Sequence, residues 1–259
     1  SVVYHKVPIG QRGATNEGAR ISQAKYVAKF DAHCAFDKGF DVKLMEPYET
    51  GENGMDVTTI PRMYNLHAFD WICDKCGHRV YQGPKPTNCE KCQHTEIHQE
   101  MVWRRRRSKR TDYARFDNEM HFQYWSKYEQ REDLRNRPID DVMCSVGAGF
   151  MMPRARFWEL GGMDEGHGSW GQYGVELACK AWLSGGRQVV NKNTWFAHMF
   201  RTNNHGFSFP YHISGNDVER AKRYSRRLWL RNKWPQAVRK LDWLIDKFAP
   251  IPGWQEANV

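Results

Sequence analysis

The chain has 259 residues, of which 39 are Lys or Arg and 30 are Asp or Glu, so its formal net charge is +9 and its isoelectric point is about 9.2. An aromatic content of 14% excludes global disorder. A mean hydropathy of −0.79, with no apolar run near the roughly 18 residues of a membrane span, excludes a transmembrane helix. The basic charge favours anionic partners, such as nucleic acid, phosphorylated small molecules or membrane headgroups.

The first fifty residues predict an α/β pattern. Residues 1–7 are typical of a short strand, and the glycines at 10, 13 and 18 indicate a turn and a helix start. Residues 24–33 (AKYVAKFDAH) predict a buried strand with a polar end. The first residue is Ser1 and not Met, which leaves open that the chain is part of a longer product; no secretory signal or lipidation motif is recognised.

Two CxxC pairs separated by 12 residues predict a zinc ribbon over about residues 71–97. Each pair can offer two thiolates to one ion, and two pairs complete a tetrahedral site with no open position, so the zinc is expected to be structural. The alternatives are two disulfides or four free thiols. The cysteines are Cys73, Cys76, Cys89 and Cys92; the other three, Cys34, Cys144 and Cys179, are typical of small buried residues, and all seven fit a reducing, cytoplasmic compartment.

A dense run of positive charge follows the cysteine module. It fits either a solvated loop or edge strand, or a strip that contacts nucleic-acid phosphates. The candidate nucleic-acid-binding residues are Arg104, Arg105, Arg106, Arg107, Lys109 and Arg110.

The second half returns to a compact pattern. Residues 141–154 predict a buried strand and a turn, and the glycine-rich residues 155–172 are typical of a site loop. Residues 175–186 have apolar positions at helical spacing and a Gly-Gly stop, and residues 187–201 predict a strand that ends at His198. Residues from about 216 to 248 predict basic helices broken at Pro235.

The triplet Asp31-Ala32-His33 places a carboxylate and an imidazole at the end of the predicted strand. Alternate residues of an extended segment point the same way, so both side chains can address one point. Oxygen and nitrogen ligands together suit a borderline divalent ion such as Mn²⁺. The triplet alone is a weak signal, since a capped turn also explains it.

Four segments, in this order, resemble the polypeptide N-acetylgalactosaminyltransferases. KFDAHCAFDKGF resembles the family's metal-binding strand, and GAGFMMPRARFWELGGMDEGHGSWGQYGVELACKAWLSGG resembles its acceptor-side segment. TWFAHMFR and FSFP resemble its His-x-Phe-Arg and aromatic-Thr-Phe-Pro stretches. The resemblance covers residues 1–50 and about 141–230, and it fails over the cysteine module.

The resemblance implies an α/β fold of the GT-A type, which the broad family 2 glycosyltransferases share. The implied organisation is residues 1–68 for part of the nucleotide-sugar-binding half, 69–100 for the zinc-ribbon insertion, 101–140 for a basic connecting segment, 141–215 for the acceptor and catalytic part, and 216–259 for a C-terminal basic helical segment. The first part of the nucleotide-binding half has no counterpart, so either the chain is a fragment or its donor site is completed differently.

Carried over residue by residue, the resemblance implies a donor site with a Mn²⁺ or Mg²⁺ ion. Asp31, His33 and His198 would hold the metal, and Arg201 would reach the diphosphate. Trp170 would wall the cleft, Asp164 would bind sugar hydroxyls, and Glu176 matches a family Glu at a helix start. The implied donor-binding set is Asn16, Asp31, His33 and Arg201, and the implied catalytic set is Asp164, Trp170 and Glu176.

The sequence also departs from the family. Thr15 stands where relatives often have Arg, Tyr173 stands where they usually have Glu, and neither Tyr173 nor Gly174 is acidic, where inverting relatives carry an acidic pair. An inverting mechanism needs a base beside the acceptor hydroxyl, so its absence favours retention.

Two functions are therefore expected from the sequence. The first is a metal-dependent glycosyltransferase that uses a nucleotide sugar, most simply a UDP-sugar, with a modified DNA base of phage type, a protein or a surface glycan as acceptor. The second is a non-catalytic nucleic-acid-binding protein built on the zinc ribbon, which leaves Asp31, His33 and His198 unexplained.

Overall fold

The computed structural model describes residues 2–50, 54–200 and 215–254, without the side chains of residues 50 and 135. The helices are α1 (Gly10–Ile21), α2 (Phe40–Leu44), α3 (Glu46–Thr50), α4 (Ser126–Glu129), α5 (Glu132–Arg135), α6 (Arg154–Glu159), α7 (Tyr173–Leu183), α8 (Gly215–Trp229) and α9 (Leu241–Phe248). The strands are β1 (Tyr26–Phe30), β2 (Cys34–Phe36), β3 (Val57–Cys73), β4 (Arg79–Tyr81), β5 (Ile97–Thr111), β6 (Ala114–Phe116), β7 (Phe122–Tyr124), β8 (Ile139–Asp141), β9 (Gly149–Pro153) and β10 (Arg187–His198).

A mixed sheet forms the centre of the described structure, with the strand order β1-β9-β3-β10-β2. β3 and β10 are parallel, whereas β1 with β9, β9 with β3 and β10 with β2 are antiparallel. The last residue of β10, His198, lies opposite Cys34 on one side and Asn65 on the other. The ends of β1 and β10 and the start of β2 therefore lie at the same end of the sheet.

The longest strand, β3, extends beyond this sheet and pairs with β5 and β4. We call this antiparallel extension, residues 65–109, the arm. Its far end carries the four cysteines of the CxxC pairs. The pairing of β3 with β5 shifts register twice, and residues 107–109 bulge out between the pairs Asn65–Arg106 and Tyr64–Arg110.

The main hydrophobic core lies between the sheet and α7. Every residue of α7 is buried, which agrees with its continuous apolar sequence. The indoles of Trp182 and Trp229 are almost completely enclosed, and α9 closes the core through Leu244 and Phe248. Among the described helices, none is both long and apolar enough to cross a membrane.

Several sequence-based expectations need correction. The strand predicted over residues 1–7 is not seen: residues 2–9 are exposed and contain no strand. Among the described residues, β1 pairs with β9 alone, so no N-terminal strand lies beside it. The predicted site loop over 155–172 begins with helix α6, whose Phe157 is buried in the core. The basic run is part of strand β5 at the edge of the arm, which agrees with the edge-strand interpretation. The strands predicted before Asp31 and His198 are present as β1 and β10.

A close backbone approach joins the core helix to the segment before β9. A Cβ added to Gly174 would lie 1.9 Å from the Ser145 carbonyl oxygen, whereas a Cβ added to the exposed Gly18 in α1 would meet nothing within 4 Å. We expect Gly174→Ala to lower the free energy of unfolding by about 1–3 kcal/mol through overpacking. The matched Gly18→Ala change should be neutral or stabilising because alanine favours helix. Urea unfolding of both variants checks this, and equal stabilities would contradict the contact.

Candidate functional site

Asp31, His33 and His198 converge where β1 and β10 end and β2 begins. Their ligand atoms lie within 4.8 Å of one another. Nε2 of His198 is 3.0 Å from Oδ2 of Asp31, and the two imidazole rings are 4.7 Å apart between centroids. The amide of Asp31 donates to the carbonyl of Ala148, and that of Met199 donates to the carbonyl of His33, so the backbone fixes both sides of the cluster.

The charge of Asp31 is set by its neighbours. The ammonium of Lys29 donates to Oδ1 of Asp31 at 2.5 Å and to the carbonyl of Gly147 at 3.1 Å. Burial raises the pKa of Asp31, but the hydrogen bond with His198 and the charge and hydrogen bond of Lys29 outweigh it and lower this pKa to about 2. Lys29 also lies over the Tyr173 ring, 4.8 Å from its centroid. The sequence reasoning missed Lys29, although its position two residues before Asp31 puts both on one face of β1.

The cluster fits a divalent cation. Ligands of an octahedral ion at roughly 2.1 Å lie about 3.0 Å apart when adjacent and about 4.2 Å apart when opposite. Oδ2 of Asp31 lies 3.0 Å from Nε2 of His198 and 3.9 Å from Nε2 of His33, and both distances fall in this range. One carboxylate and two imidazoles form a donor set suited to a borderline ion. Nδ1 of His198 is buried and has no hydrogen-bond partner among the described residues, so this imidazole also retains an unused nitrogen.

The cluster forms the floor of a cleft of about 580 Å³. Trp170 is 37% exposed and lines the same cleft, together with the first residues of α7. His121, Tyr124 and Lys222 also line the cleft. Among the described lining residues, Asp31 is the only carboxylate.

A buried ion pair holds the Trp170 segment in place. The guanidinium of Arg12 donates to Glu176 at 2.7 Å, with both side chains at most 1% exposed. Arg12 also donates to the carbonyls of Gly168 and Gly171, which flank Trp170. Burial raises the pKa of Glu176, but the charges of Lys180 and Arg12 lower it to about 2. Arg12 was not predicted, because nothing in the sequence links it to Glu176, 164 residues away.

The structure separates the predicted catalytic and donor residues into two groups. Asp31, His33, His198 and Trp170 line the cleft. Glu176 is fully buried and also accepts from the amide of Asp164, so it does not face the cleft. Arg201 and the FSFP segment lie outside the described residues.

Asn16 and Asp164 likewise have structural contacts. The side-chain amide of Asn16 donates to Met163 and accepts from its backbone amide, which ties α1 to the segment before Asp164. Asp164 accepts from the amide of Gly166 and from the hydroxyl of Tyr224 in α8. Neither residue is part of the described cleft lining, and the contacts of both support the loop before α7. Their roles in donor binding and catalysis stay predictions.

The four cysteines at the arm tip form a second cluster with metal-site geometry. The sulfurs of Cys73 and Cys92 are 3.6 Å apart, and those of Cys76 and Cys89 are 3.5 Å apart. Sulfurs around a tetrahedral zinc at 2.3 Å would be about 3.8 Å apart, whereas a disulfide needs about 2.05 Å. All four thiols are free, so the geometry favours the predicted ion over two disulfides.

The two CxxC turns also share one backbone conformation. The amide of Gly77 donates to the carbonyl of Cys73 at 2.9 Å, and the amide of Gln93 donates to that of Cys89 at the same distance. Gly77 and Gln93 both have positive φ, at 67° and 59°. Zinc itself stays a prediction.

The basic run divides into engaged and free cations. Arg105 lies over the rings of Tyr64 and Trp195, and Arg106 lies over Tyr81. Arg110 pairs with Glu129. The side chains of Arg104, Arg107 and Lys109 are exposed and form no ion pair with any residue that the structure describes.

Comparison with curated proteins links the chain to one group of enzymes. No protein-family model matches it. The putative polypeptide N-acetylgalactosaminyltransferase 13 of Drosophila melanogaster is 24% identical over 75% of this chain and 28% of its own length. The probable N-acetylgalactosaminyltransferase 9 of Caenorhabditis elegans is 28% identical over 38% of this chain and 16% of its own length. The chain thus spans less than a third of these relatives.

A solved structure shares the fold. GalNAc-T7 with UDP, GalNAc and Mn²⁺ matches with a TM-score of 0.60 over 90% of this chain and 38% of that chain, at 17% identity. This likeness confirms the predicted GT-A fold. The matches with N-acetylgalactosaminyltransferases confirm the resemblance inferred from the four sequence segments.

The buried Glu176 carboxylate predicts a pH-dependent stability. Its pKa is lower in the folded chain than in the unfolded chain, so it stabilises the fold above about pH 4.5, and this contribution is lost as the pH falls towards 2. The loss should be on the order of 3 kcal/mol, since each pKa unit is worth about 1.4 kcal/mol. Glu176→Gln should be destabilised at pH 7, and its difference from the parent should narrow below pH 4. Urea unfolding at several pH values measures this. Glu159→Gln, at an exposed site, is the control, and a parent-like pH slope for Glu176→Gln would contradict the assignment.

The arm tip predicts about one zinc ion per chain. Cys76→Ser removes one of four ligands and should release the metal and loosen the arm tip, because a structural site contributes folding free energy. Elemental analysis and hydrogen exchange of the arm measure both effects. Lys75→Ser alters an exposed neighbour in the same turn and should keep the ion. A folded, reduced protein without zinc would show that the cluster holds free thiols.

Proposed function

We propose that this chain is the metal-binding and acceptor-side part of a glycosyltransferase that uses a UDP-sugar. The observation that supports this most is the convergence of Asp31, His33 and His198 on the floor of an open cleft in a GT-A fold. The structural relative GalNAc-T7 binds UDP, GalNAc and Mn²⁺, and the curated relatives are named N-acetylgalactosaminyltransferases. A non-catalytic binding protein would not need this cluster.

The proposed mechanism assigns a distinct task to each side chain. Asp31, His33 and His198 would hold Mn²⁺ or Mg²⁺, which supplies charge neutralisation at the diphosphate leaving group. Lys29 keeps Asp31 ionised and holds its Oδ1 atom, which leaves Oδ2 directed at His198. Trp170 excludes water from one wall of the cleft and offers a ring face to a sugar.

The composition of the cleft bears on the stereochemistry. A base for an inverting reaction must lie within hydrogen-bond reach of the acceptor hydroxyl. Among the described residues of the cleft, Asp31 is the only carboxylate, and it belongs to the metal cluster. Tyr173, which replaces the family Glu, is buried and donates to the hydroxyl of Thr15. These features favour transfer with retention.

The acceptor that we propose is a polypeptide. The relative that matches 75% of this chain is named a putative polypeptide N-acetylgalactosaminyltransferase, and nothing in the comparisons supports the DNA base that the zinc module and charge had suggested. The cytoplasmic location inferred from the cysteines stays a prediction.

The arm offers a second candidate function, which is binding of nucleic acid. Arg104, Arg107 and Lys109 are exposed without a described acidic partner, and Trp103 beside them is 41% exposed. Unpaired cations next to an accessible aromatic ring are typical of surfaces that bind single-stranded nucleic acid. Each phosphate contact should then contribute roughly −0.7 to the slope of log affinity against log salt, and salt-dependent binding of single-stranded DNA tests this.

The donor site can be tested without knowing the acceptor. Asp31→Asn and His198→Gln each remove one ligand and should lower Mn²⁺-dependent release of UDP from UDP-sugars by about 100-fold or more, since the lost charge stabilisation is worth several kcal/mol. Hydrolysis of a panel of UDP-sugars, with and without Mn²⁺, measures the rates. Asp37→Asn is the matched control, because Asp37 lies six residues away and pairs with Lys43. Near-normal Mn²⁺-dependent rates in both variants would remove the proposed donor site.

A further inference from the structure

The N-terminus of helix α7 opens into the cleft without a cap. Gly171, Gln172, Tyr173, Gly174 and Val175 all line the cleft. Gln172 has a left-handed backbone (φ 59°), and no side chain caps the helix. The first amide bonded within the helix is that of Glu176, which donates to Gln172, so the amides of Tyr173, Gly174 and Val175 have no partner in the part of the chain that the structure describes.

An unpartnered, buried hydroxyl belongs to a residue that lines the same cleft. Ser145 is 5% exposed, and its Oγ has no hydrogen-bond partner among the described residues. Because Gly174 has no Cβ, the backbone of Ser145 packs directly against the start of α7.

The charge around this end of the cleft is positive. The helix contributes a partial positive charge at its N-terminus. Lys29 contacts Tyr173, the first residue of the helix, and the described wall adds Lys222, which also pairs with Glu219. The only described carboxylate of the lining, Asp31, is already engaged by Lys29 and His198. A neutral hydroxyl would leave this field uncompensated, whereas an anion would be stabilised by it.

We propose that the N-terminus of α7, together with Ser145, forms a carboxylate subsite, so that a substrate of this cleft carries an acidic group, as a uronic acid does. This inference rests on the proposed function, because it specifies the substrate of the same site. The carboxylate belongs either to the transferred sugar or to an acidic side chain of the polypeptide acceptor, for which free glucuronate serves as a soluble carboxylate probe. Both sources would meet the same free amides and hydroxyl.

Binding measurements with Mn²⁺ separate the two sources. In the first arm, calorimetry compares UDP, UDP-glucose and UDP-glucuronate, whose sugars differ only in a hydroxymethyl or a carboxylate at C6. In the second arm, glucose and glucuronate are titrated into the protein saturated with UDP and Mn²⁺. We expect glucuronate to be favoured about tenfold over glucose in one of the two arms, which is the scale of a partly buried charge at a helix end.

Two variants test the assignment to this subsite. Gln172→Glu places a carboxylate beside the helix end. It should reduce the preference for glucuronate, the ratio of the affinities for the glucuronate and glucose forms, to about one. Ser145→Ala should lower that preference severalfold. Gln130→Glu adds the same charge at an exposed position and should retain the preference.

Three outcomes would contradict the carboxylate subsite or the function on which it rests. Equal binding of glucose and glucuronate forms in both arms overturns the carboxylate subsite and leaves the UDP-sugar function standing. If Gln172→Glu weakens the binding of UDP alone as much as the binding of UDP-glucuronate, the helix end holds the diphosphate and the proposal is wrong. If no uridine nucleotide binds in the presence of Mn²⁺, the proposed function and this inference both fail.

Discussion

The buried pair between Arg12 and Glu176 is the interaction on which the geometry of the cleft depends. It joins a residue of α1 to the first turn of α7, and both charges are removed from solvent. Breaking such a pair by removing one partner usually costs about 3–5 kcal/mol, because an uncompensated charge is left buried. Here the pair is also satisfied by hydrogen bonds, since Arg12 reaches two carbonyls and Glu176 accepts from Lys180 and Asp164. The interior therefore fixes the segment that carries Trp170.

The same helix α1 connects this network to the metal cluster. The amide of Gln11 donates to the carbonyl of Ser169, and its side chain reaches Asp31 at 3.5 Å. Helix α1 thus contacts both the Trp170 segment and Asp31, a proposed metal ligand, through adjacent residues, Gln11 and Arg12. Side chains that position a cleft need not line it, and the ion pair illustrates this: Arg12 and Glu176 determine where Trp170 lies while remaining outside the cleft.

The parts of the structure that the sequence predicted are those with a local signature. The apolar runs of β1, β9, β10 and α7 are visible in the sequence, and the CxxC spacing marks the arm tip. The metal cluster was predictable because its members follow two motifs of known order, even though Asp31 and His198 are 167 residues apart. Glu176 was assigned to the site because it matches a family Glu at a helix start, but such a match does not say which side of the first turn faces the interior.

The long-range contacts had no such signature. Strand β3 contains Pro61 and several polar residues, so neither an alternating nor an apolar pattern marks its 17 residues. Its parallel pairing with β10 is set by the whole sheet and not by local propensity. The partners of Arg12 and the approach of Ser145 to Gly174 likewise exist only after the chain has folded.

The distribution of carboxylates connects these contacts to the chemistry. Glu176 is buried and accepts from the amide of Asp164, and Asp164 accepts from Tyr224 in α8. Tyr173 stands at the helix start where relatives usually have Glu. Asp31 is therefore the single described carboxylate in the cleft. A bound divalent ion would neutralise Asp31, so the remaining field would come from Lys29, Lys222 and the open end of α7. An electrostatic field favours ligands of the opposite sign. A cleft wall with few acidic side chains therefore favours anionic substrate groups, as a wall with added cations would. Substrate specificity would then depend on two features: the residues that contact the substrate, and the burial of acidic side chains in the interior, away from the cleft.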